Sequence, residues 1–155
     1  MINDIFNILL PHICLISFIF LLLFLGAFLS PRYYKYSRLI SLIGVVSTIV
    51  TLSTVQIEPQ YFGFRNSIMS DSYTLLFSFV ILVCGFFVIL LTKDLIMTIK
   101  RSSYTVQVLI LTSILGAMNV VNANDFLTLF VSLEIMGFST YFLIASSKEI
   151  GRAHV

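Results

Sequence analysis

Five long apolar runs constrain the fold of this 155-residue chain more than any other feature of its sequence. They cover residues 12–29, 39–57, 72–91, 104–121 and 126–145. A helix of about 20 apolar residues spans the hydrocarbon core of a bilayer, so each run has the length of one transmembrane helix. The runs are continuous rather than alternating, which argues against membrane β-strands. The sequence therefore predicts an all-α, polytopic transmembrane helix bundle with about five helices in this chain.

The composition leaves no room for a separate soluble domain. The chain is 59% hydrophobic and 10% charged, whereas a soluble domain is about 45–50% apolar and about 25% charged. We expect residues 1–148 to form part of a single integral membrane domain. The nine Lys and Arg residues are scattered over short connections, which argues against nucleic-acid binding. Cys14 and Cys84 lie far apart in apolar runs without a CxxC or Cys/His cluster, so we expect no metal or other cofactor in this chain.

Several residues mark the expected helix ends. Pro11 stands where a helix can start, because its missing N–H costs nothing in a first turn. Asp71 is placed to cap the third helix, and Asn124 or Asp125 the fifth. The N-terminal apolar run lacks a positive flank and is longer than the apolar region of a signal peptide, which is about 7–15 residues. We therefore expect it to be retained as the first transmembrane helix.

The charges of the connections alternate along the chain, and this alternation predicts an orientation. Residues 31–38 and 92–103 are mainly basic, whereas the other connections hold Glu58, Arg65 and Asp71, and then Asp125 alone. Short basic connections stay on the cytoplasmic side of a membrane, or on its mitochondrial equivalent. The first and third connections are therefore predicted to lie inside, and the N-terminus outside.

The second helix carries small and hydroxyl residues at alternating spacings of four and three. This spacing places them on one face, where a neighbouring helix could approach closely. We interpret the face as a packing surface, and the alternative is a polar water path along its hydroxyl groups. The residues are Ser37, Ser41, Gly44, Thr48 and Thr51.

Glu134 is the candidate functional residue, because it is the one charge in the run of residues 126–145. A carboxyl group at that depth costs about 2.5 kcal/mol or more, and such residues usually serve proton or ion movement. Loss of water penalises the ionised form, so we expect a buried carboxyl that takes up and releases a proton. The alternative is a static hydrogen bond from a protonated Glu134. No Lys or Arg lies deep in the other four runs, so a cationic partner would come from a further helix or another subunit.

The remaining polar residues have simpler interpretations. Gln107 and Asn119 are expected to form hydrogen bonds between helices, and His12 to lie at the membrane interface. Lys93 and Lys100 can extend to the lipid headgroups. Asp94 follows Lys93 directly and is expected to form a solvated pair with it. No Gly-rich phosphate loop or Ser/His/Asp arrangement is present, so nothing indicates a nucleotide or flavin site.

The region around Glu134 resembles the antiporter-like membrane subunits of proton-pumping NADH:quinone oxidoreductase, respiratory complex I. Among these it is most similar to bacterial subunit N, which is mitochondrial subunit 2. The similarity covers about residues 70–145 and is most specific around Glu134. The matching segments are SDSYTLLF at residues 70–77, LGAM at 115–118, NANDFLTLF at 122–130, Leu133-Glu134, and YFLIA at 141–145.

The resemblance implies a fold and a role. Subunits of this family have about fourteen helices, built around two inverted five-helix repeats, with the N-terminus outside. Their fifth-helix Glu pairs with a Lys on a later helix in a proton half-channel, and Glu134 matches that Glu. The implied function is proton translocation coupled to quinone reduction elsewhere in the complex. The implied partners are other membrane subunits of complex I and the lipid of a bacterial or mitochondrial inner membrane, and this chain would hold no redox centre.

Two alternatives and one exclusion accompany this interpretation. The first alternative is a subunit of a related cation/proton antiporter or membrane-bound hydrogenase. The second is a membrane scaffold that transports nothing. Residues 149–155 read EIGRAHV, which matches the translation of a sequencing adapter, so we expect them to be non-native and the chain to be an N-terminal fragment.

Overall fold

The computed structural model describes residues 2–28, 34–55, 61–63, 66–92 and 103–152. They form five helices and one small hairpin. All five helices are long and apolar enough to cross a membrane, which confirms the predicted all-α bundle. The elements are α1 (Ile2–Phe28), α2 (Tyr34–Ser53), β1 (Tyr61–Gly63), β2 (Ile68–Ser70), α3 (Ser72–Leu91), α4 (Ser103–Asn122) and α5 (Phe126–Arg152).

Helix α1 begins earlier than its sequence indicates. Pro11 was expected to start the helix, but α1 starts at Ile2 and Pro11 lies inside it. A proline within a helix leaves one carbonyl without its usual donor. The apolar segment that could span the membrane runs from Ile8 to Phe28, so both Pro11 and His12 belong to the span.

Helix α4 is the centre of the bundle. It packs against α1, α2, α3 and α5, and half of its membrane span is buried. Leu111 and Met118 of α4 are fully covered, together with Leu15 of α1, Val45 of α2 and Leu82 of α3. Lipid tails are as apolar as these side chains, so the hydrophobic effect contributes little to association of the helices within the membrane. Close van der Waals packing between the helices favours their association instead.

The small-residue face of α2 is a packing surface, as the sequence indicates. Ser37, Ser41 and Thr48 are fully buried. The Ser41 hydroxyl donates to the Ser37 carbonyl at 2.9 Å, and the Thr48 hydroxyl to the Gly44 carbonyl at 2.8 Å. A Cβ atom at Gly44 would lie 2.9 Å from Cγ of Phe18, so only glycine allows α1 to approach this closely. The hydroxyl groups of Ser41 and Thr48 are satisfied within their own helix, which supports packing over a water path.

Arg38 links α2 to the end of α3. Its Nε donates to the Ile89 carbonyl at 3.2 Å and its Nη2 to the Leu90 carbonyl at 2.9 Å. The last carbonyls of a helix lack internal donors and carry a partial negative charge, so a guanidinium group there stabilises the helix end. Arg38 was expected in the first connection, but α2 begins at Tyr34 and includes it.

The hairpin lies at the opposite end of the bundle from Arg38, beside the starts of α3 and α5. Tyr61 pairs with Ser70, Phe62 with Met69 and Gly63 with Ile68. Asp71 follows β2 directly and caps α3, because its carboxylate accepts from the Thr74 backbone N–H while the Thr74 hydroxyl accepts from the Asp71 backbone N–H. The predicted cap of the third helix is confirmed.

Candidate functional site

Asp125 begins the helix that carries the candidate residue. Its Oδ1 accepts from the Thr128 backbone N–H at 2.6 Å and its Oδ2 from the Thr128 hydroxyl at 3.0 Å. Of the two predicted caps, Asp125 therefore holds the position that satisfies a free N–H of the first turn. A hydrogen bond from the Ser67 side chain, followed by the bond from the Thr128 backbone, lowers the pKa of Asp125 below its usual value. The residue is therefore ionised at neutral pH.

One face of α5 packs on α4. Ser132 and Ser139 are buried on this face, and their hydroxyls donate to the Thr128 and Ile135 carbonyls of their own helix. Gly116 of α4 approaches the α5 backbone, because a Cβ atom there would lie 2.8 Å from the Met136 backbone nitrogen. The two helices therefore meet closely at the level of Gly116 and Met136.

The other face of α5 is largely exposed in the part of the chain that the structure describes. Only 11% of the membrane span of α5 is buried, against half for α4. Exposed large apolar side chains make up much of this face, namely Leu127, Phe130, Val131, Phe138 and Tyr141. A helix face of this kind contacts lipid or a further helix.

Glu134 lies on the uncovered face. It is the ninth residue of α5, which places its Cα about 12 Å along the helix from the first residue. The hydrocarbon core is about 30 Å thick, so the carboxyl group is near mid-span. The sequence predicts a buried Glu134, but within this chain the side chain is exposed. The reason is that α5 turns its serine face to α4, and no described helix packs over Glu134 on the opposite face.

No cationic side chain described in the structure is placed to pair with Glu134. The Arg38 guanidinium is engaged with the end of α3. Gly137 stands one turn after Glu134, and among the described residues a Cβ atom there would meet Cε2 of Tyr141, at 3.8 Å. The helix surface beside the carboxyl group is therefore open, and another group could approach Glu134 there.

The other polar residues named from the sequence lie away from Glu134. Gln107 is fully buried near the start of α4, where its Nε2 donates to the Thr92 hydroxyl at 3.4 Å while its Oε1 has no partner among the described residues. Asn119 is half-buried in α4. Lys93, Asp94 and Lys100 lie outside the described residues. Within the part of the chain that is described, no group of three His, Cys, Asp or Glu residues is placed to hold a metal ion.

His12 is buried between helices. Its Nε2 lies 3.3 Å from Nδ2 of Asn122, which joins α1 to the end of α4. Its depth relative to the membrane interface stays a prediction, whereas the assumption that α1 begins at Pro11 was wrong. Sequence reasoning also missed Asn122 as its partner, since nothing local connects two residues so far apart in the chain.

The amino-acid sequence of this chain is similar to sequences of known proteins. No family model matches the chain. It is 31% identical over 120 residues to the chloroplast NAD(P)H-quinone oxidoreductase subunit 2 of Chlorokybus atmophyticus, covering 77% of this chain and 24% of the relative. It is 28% identical over 148 residues to the chloroplast subunit 2 of Zygnema circumcarinatum, covering 96% of this chain and 29% of the relative.

A bacterial relative gives a similar match. The chain is 28% identical over 147 residues to NADH-quinone oxidoreductase subunit N of Francisella tularensis subsp. holarctica, covering 92% of this chain and 30% of the relative. The alignments thus span 24–30% of the length of these three relatives. The similarity extends over most of this chain, including regions well before Glu134.

Proposed function

Because the chain is homologous to subunit 2 and subunit N of the NAD(P)H-quinone oxidoreductases, we propose that it belongs to a proton-translocating membrane subunit of NADH:quinone oxidoreductase. The chain is an integral membrane protein with five helices of spanning length. In this proposal the subunit lies in an energy-converting membrane with its N-terminus outside. It moves protons while quinone is reduced elsewhere in the complex.

Glu134 carries the proposed proton transfer. The supporting observation is its position near mid-span on a helix face that this chain leaves uncovered. A carboxyl group is expensive there unless a cation or hydrogen-bond donor approaches it, or unless it binds a proton. When the carboxyl is protonated it is neutral and tolerates the apolar surroundings. When it is ionised it requires a positive group, which the resemblance assigns to a Lys on a later helix.

The uncovered face determines how a partner reaches the carboxyl. Gly137 leaves space one turn along the helix, and Leu127, Phe130 and Phe138 surround the site with apolar surface. A helix that packs on this face would exclude lipid and strengthen any interaction with Glu134, because charges interact more strongly where water is absent. Arrival and departure of the proton would then shift the balance between the neutral and the paired state.

Substitution of Glu134 by Gln in the full-length subunit within its complex tests this proposal. Glu134→Gln keeps the side-chain shape and hydrogen bonding but cannot exchange a proton at neutral pH. We expect normal assembly, with proton pumping lowered by about 10²-fold or more, within the range for loss of a positioned proton-transfer group. Glu134→Asp keeps a carboxyl one methylene shorter and should retain part of the activity. Proton uptake by inverted membrane vesicles during NADH oxidation measures the effect, and a native gel measures complex content.

Asp71→Asn provides a matched control, since it is the same carboxyl-to-amide change on another helix of this chain. Asn is as good a helix cap as Asp, so this variant should assemble and pump normally. Normal pumping by Glu134→Gln at normal complex content would contradict the proposed role. Loss of the complex would point to a structural role of Glu134 instead.

A further inference from the structure

The last residue of α4 and the three residues that join it to α5 contact two other elements, α1 and the hairpin. Asn122 lies against His12 of α1. Ala123 forms an isolated β-bridge with Ile68 of β2. The Asn124 backbone N–H donates to the Ser67 carbonyl at 2.9 Å, and its side-chain Nδ2 donates to the Asn66 carbonyl at 2.7 Å. Asp125 accepts from Ser67 and caps α5.

The turn of the hairpin is shaped to receive these bonds. Asn66 adopts a left-handed backbone conformation with φ of 71°, which asparagine tolerates better than most residues. This conformation turns the chain at the point where the Asn66 and Ser67 carbonyls meet Asn124. The hairpin therefore acts as a fixed support for the start of α5.

Helix α5 has few other supports. It packs mainly on α4, and Glu134 is exposed on its opposite face. A slip of one residue along α4 would move a side chain by 1.5 Å and rotate it by about 100° around the helix axis. Such a slip would remove Glu134 from any partner that approaches its face. The supports at the start of α5 therefore have a direct effect on where the carboxyl points.

We propose that Asn124 and Asp125 are positioning residues for Glu134, because they lock the start of α5 to the β-hairpin and so set the depth and direction of its carboxyl group. Asn124 holds the turn to the hairpin through its side chain and its backbone. Asp125 joins the Ser67 side chain to the first turn of α5 with one carboxylate. Neither residue touches the transferred proton. The functional part of this inference rests on the proposed function of Glu134, whereas its structural part does not.

The test compares Asn124→Ala and Asp125→Ala in the full-length subunit within its complex. Asn124→Ala removes one side-chain bond at an exposed position, so it should assemble even if Asp125→Ala does not. Asp125→Asn keeps an acceptor for the Thr128 N–H, so its Glu134 modification rate and its proton pumping should be closer to those of the parent than the values of Asp125→Ala are. Thr54→Ala is the matched control, because Thr54 is also exposed near the end of its helix on this side and, among the described residues, its hydroxyl bonds to the Thr51 carbonyl.

Two readouts separate the structural part from the functional part. The first is the rate at which a membrane-permeant carbodiimide modifies Glu134, followed by mass spectrometry, because this rate depends on where the carboxyl lies. The second is the pH profile of proton pumping, measured per assembled complex. We expect severalfold changes in the modification rate for both alanine variants, and about tenfold less pumping with a displaced pH profile, since a misplacement of about 1 Å can cost about 10²-fold. Thr54→Ala should match the parent in both measurements.

The outcomes are distinct. Unchanged modification rates in assembled Asn124→Ala and Asp125→Ala complexes would overturn the positioning role. Changed modification rates with normal pumping would show that Asn124 and Asp125 position Glu134 but that pumping does not depend on this position. This result would contradict the functional part of the inference. Normal pumping by Glu134→Gln would refute the proposed function. The carbodiimide modification rates would still decide whether Asn124 and Asp125 hold α5 in place.

Discussion

At the scale of single residues, Glu134 could be identified from the sequence, whereas the burial of His12 could not be predicted from it. Glu134 is conspicuous because a charge within an apolar run is visible without a structure. Whether its side chain is covered depends on which face of α5 meets α4, and this the sequence does not contain. His12 is buried because α1 begins at Ile2 and one side of it packs on α4. Its position follows from the packing of distant segments, which local patterns cannot predict.

The buried contact between His12 and Asn122 leads to a stability prediction. Asn122→Leu leaves Nε2 of His12 buried without its neighbour at 3.3 Å, so the free energy of unfolding should fall by about 1–3 kcal/mol. Adding His12→Leu removes the unsatisfied group, and the double variant should be less destabilised than the sum of the single variants. Unfolding midpoints of the purified full-length subunit in detergent measure this cycle. Additive effects would show that the two side chains do not interact.

At the scale of helices and strands, cap chemistry could be predicted from sequence and the hairpin could not. Asp71 and Asp125 bond to backbone groups three residues later, so their role is local and readable from the sequence. The β-bridge between Ile68 and Ala123 depends on two segments that approach only after the helices pack. The hairpin itself is three residues per strand, too short to give an alternating pattern.

Two glycines provide a matched comparison of close and open helix surfaces. A Cβ atom at Gly116 would lie 2.8 Å from the Met136 backbone nitrogen, and backbone cannot move aside as a side-chain tip can. Gly116→Ala should therefore separate α4 from α5 and lower stability by about 1–3 kcal/mol, the usual cost of overpacking. Gly137→Ala introduces the same methyl group into open space one turn from Glu134, and it should be neutral or slightly stabilising through better helix propensity.

The measurement is the thermal midpoint of the full-length subunit, with complex content on a native gel as a second readout. Equal midpoints for Gly116→Ala and the parent would contradict the close approach of α4 and α5. A large loss in Gly137→Ala would show that the Glu134 face is tightly packed in the assembled complex, where a further helix covers it.

At the scale of the whole molecule, the helices alternate in direction, so their ends fall on two surfaces. The hairpin, Asn122 and the start of α5 share one surface, whereas Arg38, the end of α3 and the start of α4 share the other. The sequence predicts the second surface to be inside, because the basic connections at residues 31–38 and 92–103 join its helix ends. The apolar faces of α3 and α5 remain uncovered in this chain, which spans under a third of its relatives. These faces are the places where lipid or the rest of the subunit would pack.

This orientation can be tested with single cysteines in a full-length variant in which Cys14 and Cys84 are replaced by serine. Asn66→Cys places a thiol at an exposed residue of the hairpin turn, and Tyr36→Cys places one at an exposed residue near the start of α2, at the opposite surface. A membrane-impermeant maleimide should label position 66 in intact cells or mitoplasts, and position 36 only after the membrane is opened. Phe20→Cys is the control, because Phe20 is exposed within the span of α1 and should resist the reagent from both sides. Labelling of position 36 in intact cells would reverse the orientation, and it would place the hairpin that supports Glu134 on the inner surface instead of the outer one.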